Sequence, residues 1–236
     1  MTGSLVSPAT RQRVRDLATP LATALGRLGL TPNALTIIGF LGTCAAAVAA
    51  AYQAWLVAGV LVLVFGIFDL FDGALARATG RATKLGAFLD STLDRAGEGI
   101  VYIGIAAGCL AADFAFGAIA AATAMAASFM VSYTRAKAES LGFSSGSGLA
   151  NIGLAPREVR LAILSIGLLW TGLWPPLVAS ERCSGSAPGV QTCTGALSAH
   201  PLGSNALEVT LGLITILATV TTIQRILHVR AQSREG

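Results

Sequence analysis

The sequence predicts an all-α polytopic membrane protein, with six transmembrane helices behind an N-terminal amphipathic juxtamembrane helix. Three observations carry that prediction. Of 236 residues, 54% are hydrophobic and only 12% charged, against about 25% charged in an average soluble domain, and the mean hydropathy is +0.70. Apolar runs long enough to cross a bilayer recur along the chain. The basic residues gather in alternate connections. No hydrophilic stretch is long enough for a second unit, so residues 1–236 read as one membrane domain.

The first predicted element is the juxtamembrane helix, at 7–30. Beyond Pro8, Leu17, Leu21, Leu25 and Leu28 are spaced for one face of a helix, and Arg11, Arg13 and Arg15 precede them. Such a helix lies on the inner membrane surface with its arginines near anionic headgroups. It is not a cleavable leader, because a full-length span follows without a small-residue cleavage site. The bundle proper runs from 34 to 227. Its spans are Ala34–Ala51, Trp55–Leu75, Leu85–Leu110, Phe114–Tyr133, Arg160–Val178 and Leu207–Leu227. A Gly/Ser/Pro-rich outer loop at 179–205 separates the last two. Cys44 and Cys109 fall in apolar spans and read as inert core residues. Cys183 and Cys193 lie in the outer loop, where they are either a disulfide or two free thiols.

Orientation follows from charge. Arg11, Arg13, Arg15 and Arg27 precede the first span; Arg77, Arg81, Lys84 and Arg95 surround the second turn. Arg135, Lys137, Arg157 and Arg160 flank the fourth, and Arg225, Arg230 and Arg234 close the chain. Six spans put all of these on one side and leave Arg182 opposite. The positive-inside bias makes that side cytoplasmic, with both termini on it. The chain is thus expected to be a multi-pass protein of the cell membrane. The formal charge of +4 adds little beyond topology, and no nucleic-acid partner is expected.

Asp69, Asp72, Asp90 and Asp94 contradict the apolar background. Ionised groups in a bilayer are costly and rarely stand without a metal, a counter-charge or a polar substrate. On a helix, Asp69, Asp72, Gly73, Ala76 and Arg77 fall within one arc. Thr83, Gly86, Asp90 and Asp94 share a face of the next span, and Glu98 continues the stripe. Rises of about 21 Å from Trp55 to Asp69 and about 24 Å from Asp94 to Leu110 put the two faces at similar depth. The short Thr79–Lys84 connection predicts antiparallel neighbours. Four carboxylates converging there raise one another's pKa unless cations intervene. All-oxygen ligation favours Mg²⁺ or Mn²⁺ over zinc, and such ions with Arg77 make a phosphoryl-transfer site. Salt bridges to Arg77, Arg81 or Lys84 are a rival reading, as is a cation transporter built on intramembrane carboxylates.

The spacing D-x2-D-G-x2-A-R-x8-G-x3-D-x3-D, complete from Asp69 to Asp94, resembles the signature of the CDP-alcohol phosphotransferase family. That resemblance implies a six-helix fold, a homodimer, and a site with two Mg²⁺ ions holding the diphosphate of a CDP-linked lipid. It implies that Asp69 and Asp90 bridge the metals, that Asp72 completes one shell, and that Asp94 serves the second metal and acts as catalytic base. Gly73, Arg77 and Thr83 would contact the CDP moiety, and Thr31-Pro32-Asn33 resembles the family's nucleotide-side turn. Pro32 in the first helical turn with Thr31 as cap accounts for that tripeptide equally well.

Leu89-Asp90-Ser91-Thr92-Leu93-Asp94-Arg95 resembles the variant found in phosphatidylinositol-phosphate synthases. The segment Ser132 to Glu139, with Arg135 and Lys137, and then Arg157 and Arg160, looks like the same branch. A phosphorylated acceptor needs a cationic pocket, for which Ser132, Arg135, Lys137, Arg157, Arg160 and Arg225 are candidates. The implied partners are CDP-diacylglycerol or a related CDP-lipid and 1D-myo-inositol 3-phosphate, with glycerol 3-phosphate as the alternative acceptor. Two features stand outside the pattern: Gly97-Glu98-Gly99, and the length of the outer loop. Gly104 and Gly108 form a small-xxx-small pair suited to packing helices within or between subunits.

Overall fold

The computed structural model describes residues 20, 22–80, 82–143, 153–173, 180–187, 190–196 and 201–235. Side chains at 69–70, 180–187, 190–196, 201–204 and 235 lie outside that description. Six long helices follow the short α1 (22–27): α2 Pro32–Ala51, α3 Trp55–Ala78, α4 Lys84–Ala111, α5 Ala115–Ser140, α6 Arg157–Gly172 and α7 Pro201–Glu235. Four of the six are long and apolar enough to cross a membrane: α2, α3, α5 and α7. α4 misses that standard because it carries Lys84, Asp90, Asp94, Arg95 and Glu98, and α6 because it has 16 residues. α6 is described as far as Leu173, and the rest of the expected fifth span, to Val178, lies outside the described residues.

Local chemistry sets the ends. Thr31 caps α2 by accepting from the Ala34 amide at 3.2 Å, and Thr83 caps α4 by accepting from the Gly86 amide at 3.0 Å. Five helices end in a left-handed residue, Gly29, Gln53, Gly80, Asp113 and Gly142. After Gly29, Gln53, Asp113 and Gly142 the next amide reaches back five residues, as Leu30 N–H does to the Leu25 carbonyl at 3.3 Å. The described part of α1 packs through Ala22 and Leu25 onto Leu35, Ala74 and Leu75. Residues 7–19 of the predicted juxtamembrane helix lie outside the described residues.

The helices pack in a closed ring, in the order α2, α3, α6, α7, α5, α4 and back to α2. α3 and α4 are therefore not packed side by side, although five residues join them; α2 lies against both. Their acidic faces look into the hollow of the ring instead of at each other. Small residues close the α4–α2 seam: a Cβ at Gly104 would run into the Ala47 carbonyl, and one at Gly108 into the Ala50 carbonyl. The glycine pair thus packs helices within one chain. The core beyond the hollow is built from Ala46, Trp55, Val62, Val101, Tyr102, Ile105, Leu164, Leu168, Leu211 and Ile214.

Between α6 and α7 the described residues form a two-stranded antiparallel pair, β1 Ser180–Ala187 with β2 Val190–Ala196, while the last residues of the predicted loop, from Pro201, belong to α7. It is the one departure from an all-helical chain among the described residues. Its register sets Cys183 opposite Cys193; their side chains, and so the disulfide, lie outside the described residues.

The α4–α2 seam gives a stability prediction. Gly104→Val should cost about 1–3 kcal/mol through overpacking against backbone that cannot give way. Gly212→Ala on α7, with nothing within 4 Å of the added Cβ, should hold or raise stability. Thermal unfolding of the two variants in detergent checks the contrast.

Candidate active site

A cavity of about 600 Å³ occupies the hollow of the ring where α3, α5 and α7 end and α4 and α6 begin. α3 contributes Asp72, Gly73 and Arg77; α4 contributes Asp90, Ser91, Asp94 and Arg95. Ser132 and Arg135 come from α5, Arg157, Glu158 and Arg160 from α6, and Arg225 from α7. Its deeper side, between α3 and α6, is apolar: Val62, Leu63, Gly66, Ile67, Leu161 and Ala162. Leu63 and Ile67 are each more than 40% exposed.

Each polar group is held by a neighbouring helix. Asp72 is buried, and its Oδ2 accepts from Thr36 Oγ1 of α2 at 2.6 Å. Gly73 leaves room for the Arg77 guanidinium, which lies 3.3 Å from where a Cβ would be. Asp94 Oδ2 meets Arg157 Nη1 at 2.7 Å and Arg95 Nη1 at 3.3 Å. Glu98 and Arg160 form a buried bidentate pair, Nε to Oε1 and Nη2 to Oε2, each 2.9 Å. Arg160 Nη1 also donates to the Ala155 carbonyl at 2.9 Å, and the Ala155 amide donates to Thr221 Oγ1 of α7 at 3.0 Å. Arg225, buried, donates to the Val131 carbonyl of α5. Arg135 pairs with Glu139 one turn away at 2.8 Å, both about 44% exposed.

The cavity brings together Asp72, Gly73, Arg77, Asp90, Asp94, Ser132, Arg135, Arg157, Arg160 and Arg225. Asp69 lies on α3, three residues before Asp72, with its side chain outside the described residues. Pro32, Asn33 and Thr83 do not line the cavity. Asn33 and Thr83 instead converge on Gly86, each oxygen 3.1 Å from where its Cβ would stand. Lys137 is exposed near the end of α5 and is not in the wall. Sequence reasoning missed Ser91, Arg95 and Glu158 as polar lining residues and Thr36 as the partner of Asp72. Thr36 lies one residue beyond Leu35 in the first span; only the packing of α2 on α3 links it to the motif.

Among the described residues, no three His, Cys, Asp or Glu side chains gather tightly enough to hold a metal unaided. The donor chemistry nevertheless fits a hard divalent cation. Asp72, Asp90 and Asp94 offer carboxylate oxygens to one cavity, and no His or Cys is among the described lining residues. Arginines on the remaining walls suit a ligand with several anionic oxygens.

Known proteins resemble this chain in sequence and in fold. Archaetidylinositol phosphate synthase of Pyrococcus horikoshii is 34% identical over 227 residues, covering 96% of this chain and 97% of its own length. Phosphatidylinositol phosphate synthase of Streptomyces avermitilis is 32% identical, covering 92% of this chain and 80% of its own. A crystal structure of Mycobacterium tuberculosis phosphatidylinositol phosphate synthase with CDP-DAG bound has a TM-score of 0.68 at 28% identity, covering 91% of this chain and 94% of that one. Another of that enzyme, in complex with manganese and citrate, gives 0.67 at 29% identity, covering 90% and 88%. The family model described as CDP-alcohol phosphatidyltransferase matches residues 29–199, and the chain is a membrane transferase belonging to that family.

Proposed function

We propose that this enzyme transfers a phosphatidyl group from CDP-diacylglycerol, or a related CDP-lipid, to 1D-myo-inositol 3-phosphate, giving phosphatidylinositol phosphate and CMP. One observation carries the proposal: a single cavity has an acidic wall on α3 and α4, a cationic wall on α5, α6 and α7, and an apolar side between α3 and α6. The donor has a diphosphate and acyl chains, and the acceptor a phosphate; each part has a matching wall. The names of the similar synthases and the CDP-DAG-bound neighbour support the same choice.

In this reading Asp69, Asp72, Asp90 and Asp94 hold the divalent cations, two Mg²⁺ with Mn²⁺ as substitute. When bound, these cations supply charge stabilisation at the diphosphate. Gly73 lets the donor approach the α3 backbone, and Arg77 meets its phosphates. Pro32, Asn33 and Thr83 frame the nucleotide from the rim around Gly86. Arg157 fixes the orientation of the Asp94 carboxylate through its charge-assisted contact. Asp94 takes the acceptor hydroxyl proton as the new O–P bond forms and the anhydride P–O bond to CMP breaks. No Ser, Cys or His belongs to the motif, which favours direct transfer without a covalent enzyme intermediate. All six long helices span the membrane, with both termini and the cavity mouth on the cytoplasmic side, and the enzyme acts as a homodimer.

The test is CMP release by the purified protein with Mg²⁺, CDP-diacylglycerol and each alcohol in turn. Release with inositol phosphate, abolished by chelation and restored by Mg²⁺ or Mn²⁺, is expected. Release with glycerol 3-phosphate alone would replace the acceptor, and no release with any alcohol would overturn the proposal. Asp94→Asn should lower kcat by about 10²–10⁴-fold, the usual contribution of a general base, while CDP-lipid affinity stays near wild type. Arg225→Gln should raise the KM for inositol phosphate by about tenfold, worth one charge-assisted hydrogen bond, without moving the CDP-lipid KM. Equal effects on both substrates would remove Arg225 from the acceptor pocket.

A further inference from the structure

Arg160 stands in the cavity wall with its hydrogen-bonding capacity turned inward. All three guanidinium nitrogens donate within the protein, two to Glu98 and one to the Ala155 carbonyl. The side chain is 1% exposed and that of Glu98 is 0%. With three of its five N–H groups donated within the protein and 1% of the side chain exposed, the guanidinium has little left to offer an incoming phosphate. Arg160 is therefore poorly placed to bind the acceptor, and its placement suits another task.

That task follows from topology. In the ring order, α4 and α6 stand opposite each other and their backbones do not pack together. Two ion pairs nevertheless join them across the hollow: Asp94 with Arg157 at 2.7 Å, and Glu98 with Arg160 at 2.9 Å. Asp94 and Glu98 are one turn apart on α4, and Arg157 and Arg160 one turn apart on α6. The two pairs are rungs of one ladder. The lower rung is fully buried and bidentate, and fixes distance, height and rotation between the helices. The upper rung is partly exposed, 17% at Arg157 and 13% at Asp94, where the lower is buried, so its geometry is inherited from the lower one.

We infer that Glu98 and Arg160 are positioning residues, a cross-ring strut that sets α6 against α4 so that Arg157 meets Asp94. The inference deepens the proposed reaction and rests on that reading for its kinetic arm. Gly97 and Gly99 belong to the device. A Cβ at Gly97 would stand 2.7 Å from Thr43 Oγ1 of α2, and one at Gly99 2.8 Å from Phe129 of α5. Both neighbours of α4 thus come close at this level, and Glu98 between the glycines is turned to the far side of the hollow. The glycine–glutamate–glycine run, which stood outside the motif pattern, has a physical purpose here.

The experiment uses the full chain in detergent with Glu98→Gln, Arg160→Gln and the packed neutral double Glu98→Leu/Arg160→Met. The double keeps the inference testable if a single variant, left with an unpaired buried charge, fails to fold. Positioning predicts that each folded variant loses kcat at least tenfold with the inositol phosphate KM within threefold. It also predicts that the double loses no more than the worse single. A thirtyfold rise in acceptor KM in the Arg160 variants, with Glu98→Gln at wild-type values, would make Arg160 a phosphate ligand and overturn the inference. A second arm needs no activity. Arg157→Gln should lower Tm in the wild type and have less effect in the neutral double, because the upper rung depends on the lower. Equal shifts in both backgrounds would also overturn it. Wild type that releases no CMP with any alcohol refutes the proposed reaction, while the Tm arm still decides the strut.

Discussion

A carboxylate and a guanidinium buried together at the centre of an apolar ring constrain everything around them. Removing either charge from water costs several kcal/mol, and their attraction offsets this only with good geometry and satisfied remaining donors. Glu98 and Arg160 meet both conditions, through a bidentate contact and the Ala155 carbonyl. Leaving one of them alone would cost about 3–5 kcal/mol, so the helices that carry them have little freedom to slide. Thr221 extends the constraint to α7 by accepting from the Ala155 amide. Tyr102, one turn beyond Glu98, meets Ser128 of α5 at 3.4 Å. The least lipid-like helix of the bundle is thereby tied to its surroundings at successive levels by polar contacts instead of by a uniform apolar coat.

The hollow above that strut is polar. At the other end of the ring Tyr102, Ile105, Leu164, Leu168, Leu211 and Ile214 fill the centre. Where the filling stops, charged groups from five helices face one another across about 600 Å³. Asp72 is steadied from behind by Thr36, Asp94 from across by Arg157. Among the described lining residues, arginines outnumber carboxylates. A cavity of that balance suits a ligand carrying several anionic oxygens better than a bare cation in transit, which separates it from an ion path.

Much of this was legible in the chain. The spacing from Asp69 to Asp94 placed the acids on two helix faces, and Asp72, Asp90 and Asp94 do line one cavity. Thr31 acts as the cap its position suggested, whereas the capping role of Thr83 emerges only from the structure. Legibility failed where contacts join helices distant in sequence. A short connection between α3 and α4 suggested direct packing, but the polar faces require space between them, and α2 takes the position beside both. Glu98 looked like the end of an acidic stripe because its partner lies 62 residues away. Likewise Arg160 resembled Arg157 in sequence, one turn apart, yet burial separates them: one is 1% exposed and the other 17%. Periodicity identifies the face a residue occupies, but depth along that face depends on the closed ring.

The same distinction orders the remaining arginines under the proposed reaction. Arg135 sits at the mouth, largely exposed and paired with Glu139 on its own helix. A pair in such a place is screened by solvent and contributes little to affinity, but charges at a rim raise the rate of encounter with a charged partner. Arg225 is buried and anchored to the Val131 carbonyl, so its guanidinium stays put when a ligand arrives. A fixed cation in a water-poor site discriminates between ligands by where their phosphates fall, since a misplaced phosphate leaves both charges poorly paired. In the proposed reaction, choice of acceptor falls to Arg225 on α7, outside the helices that carry the aspartate motif.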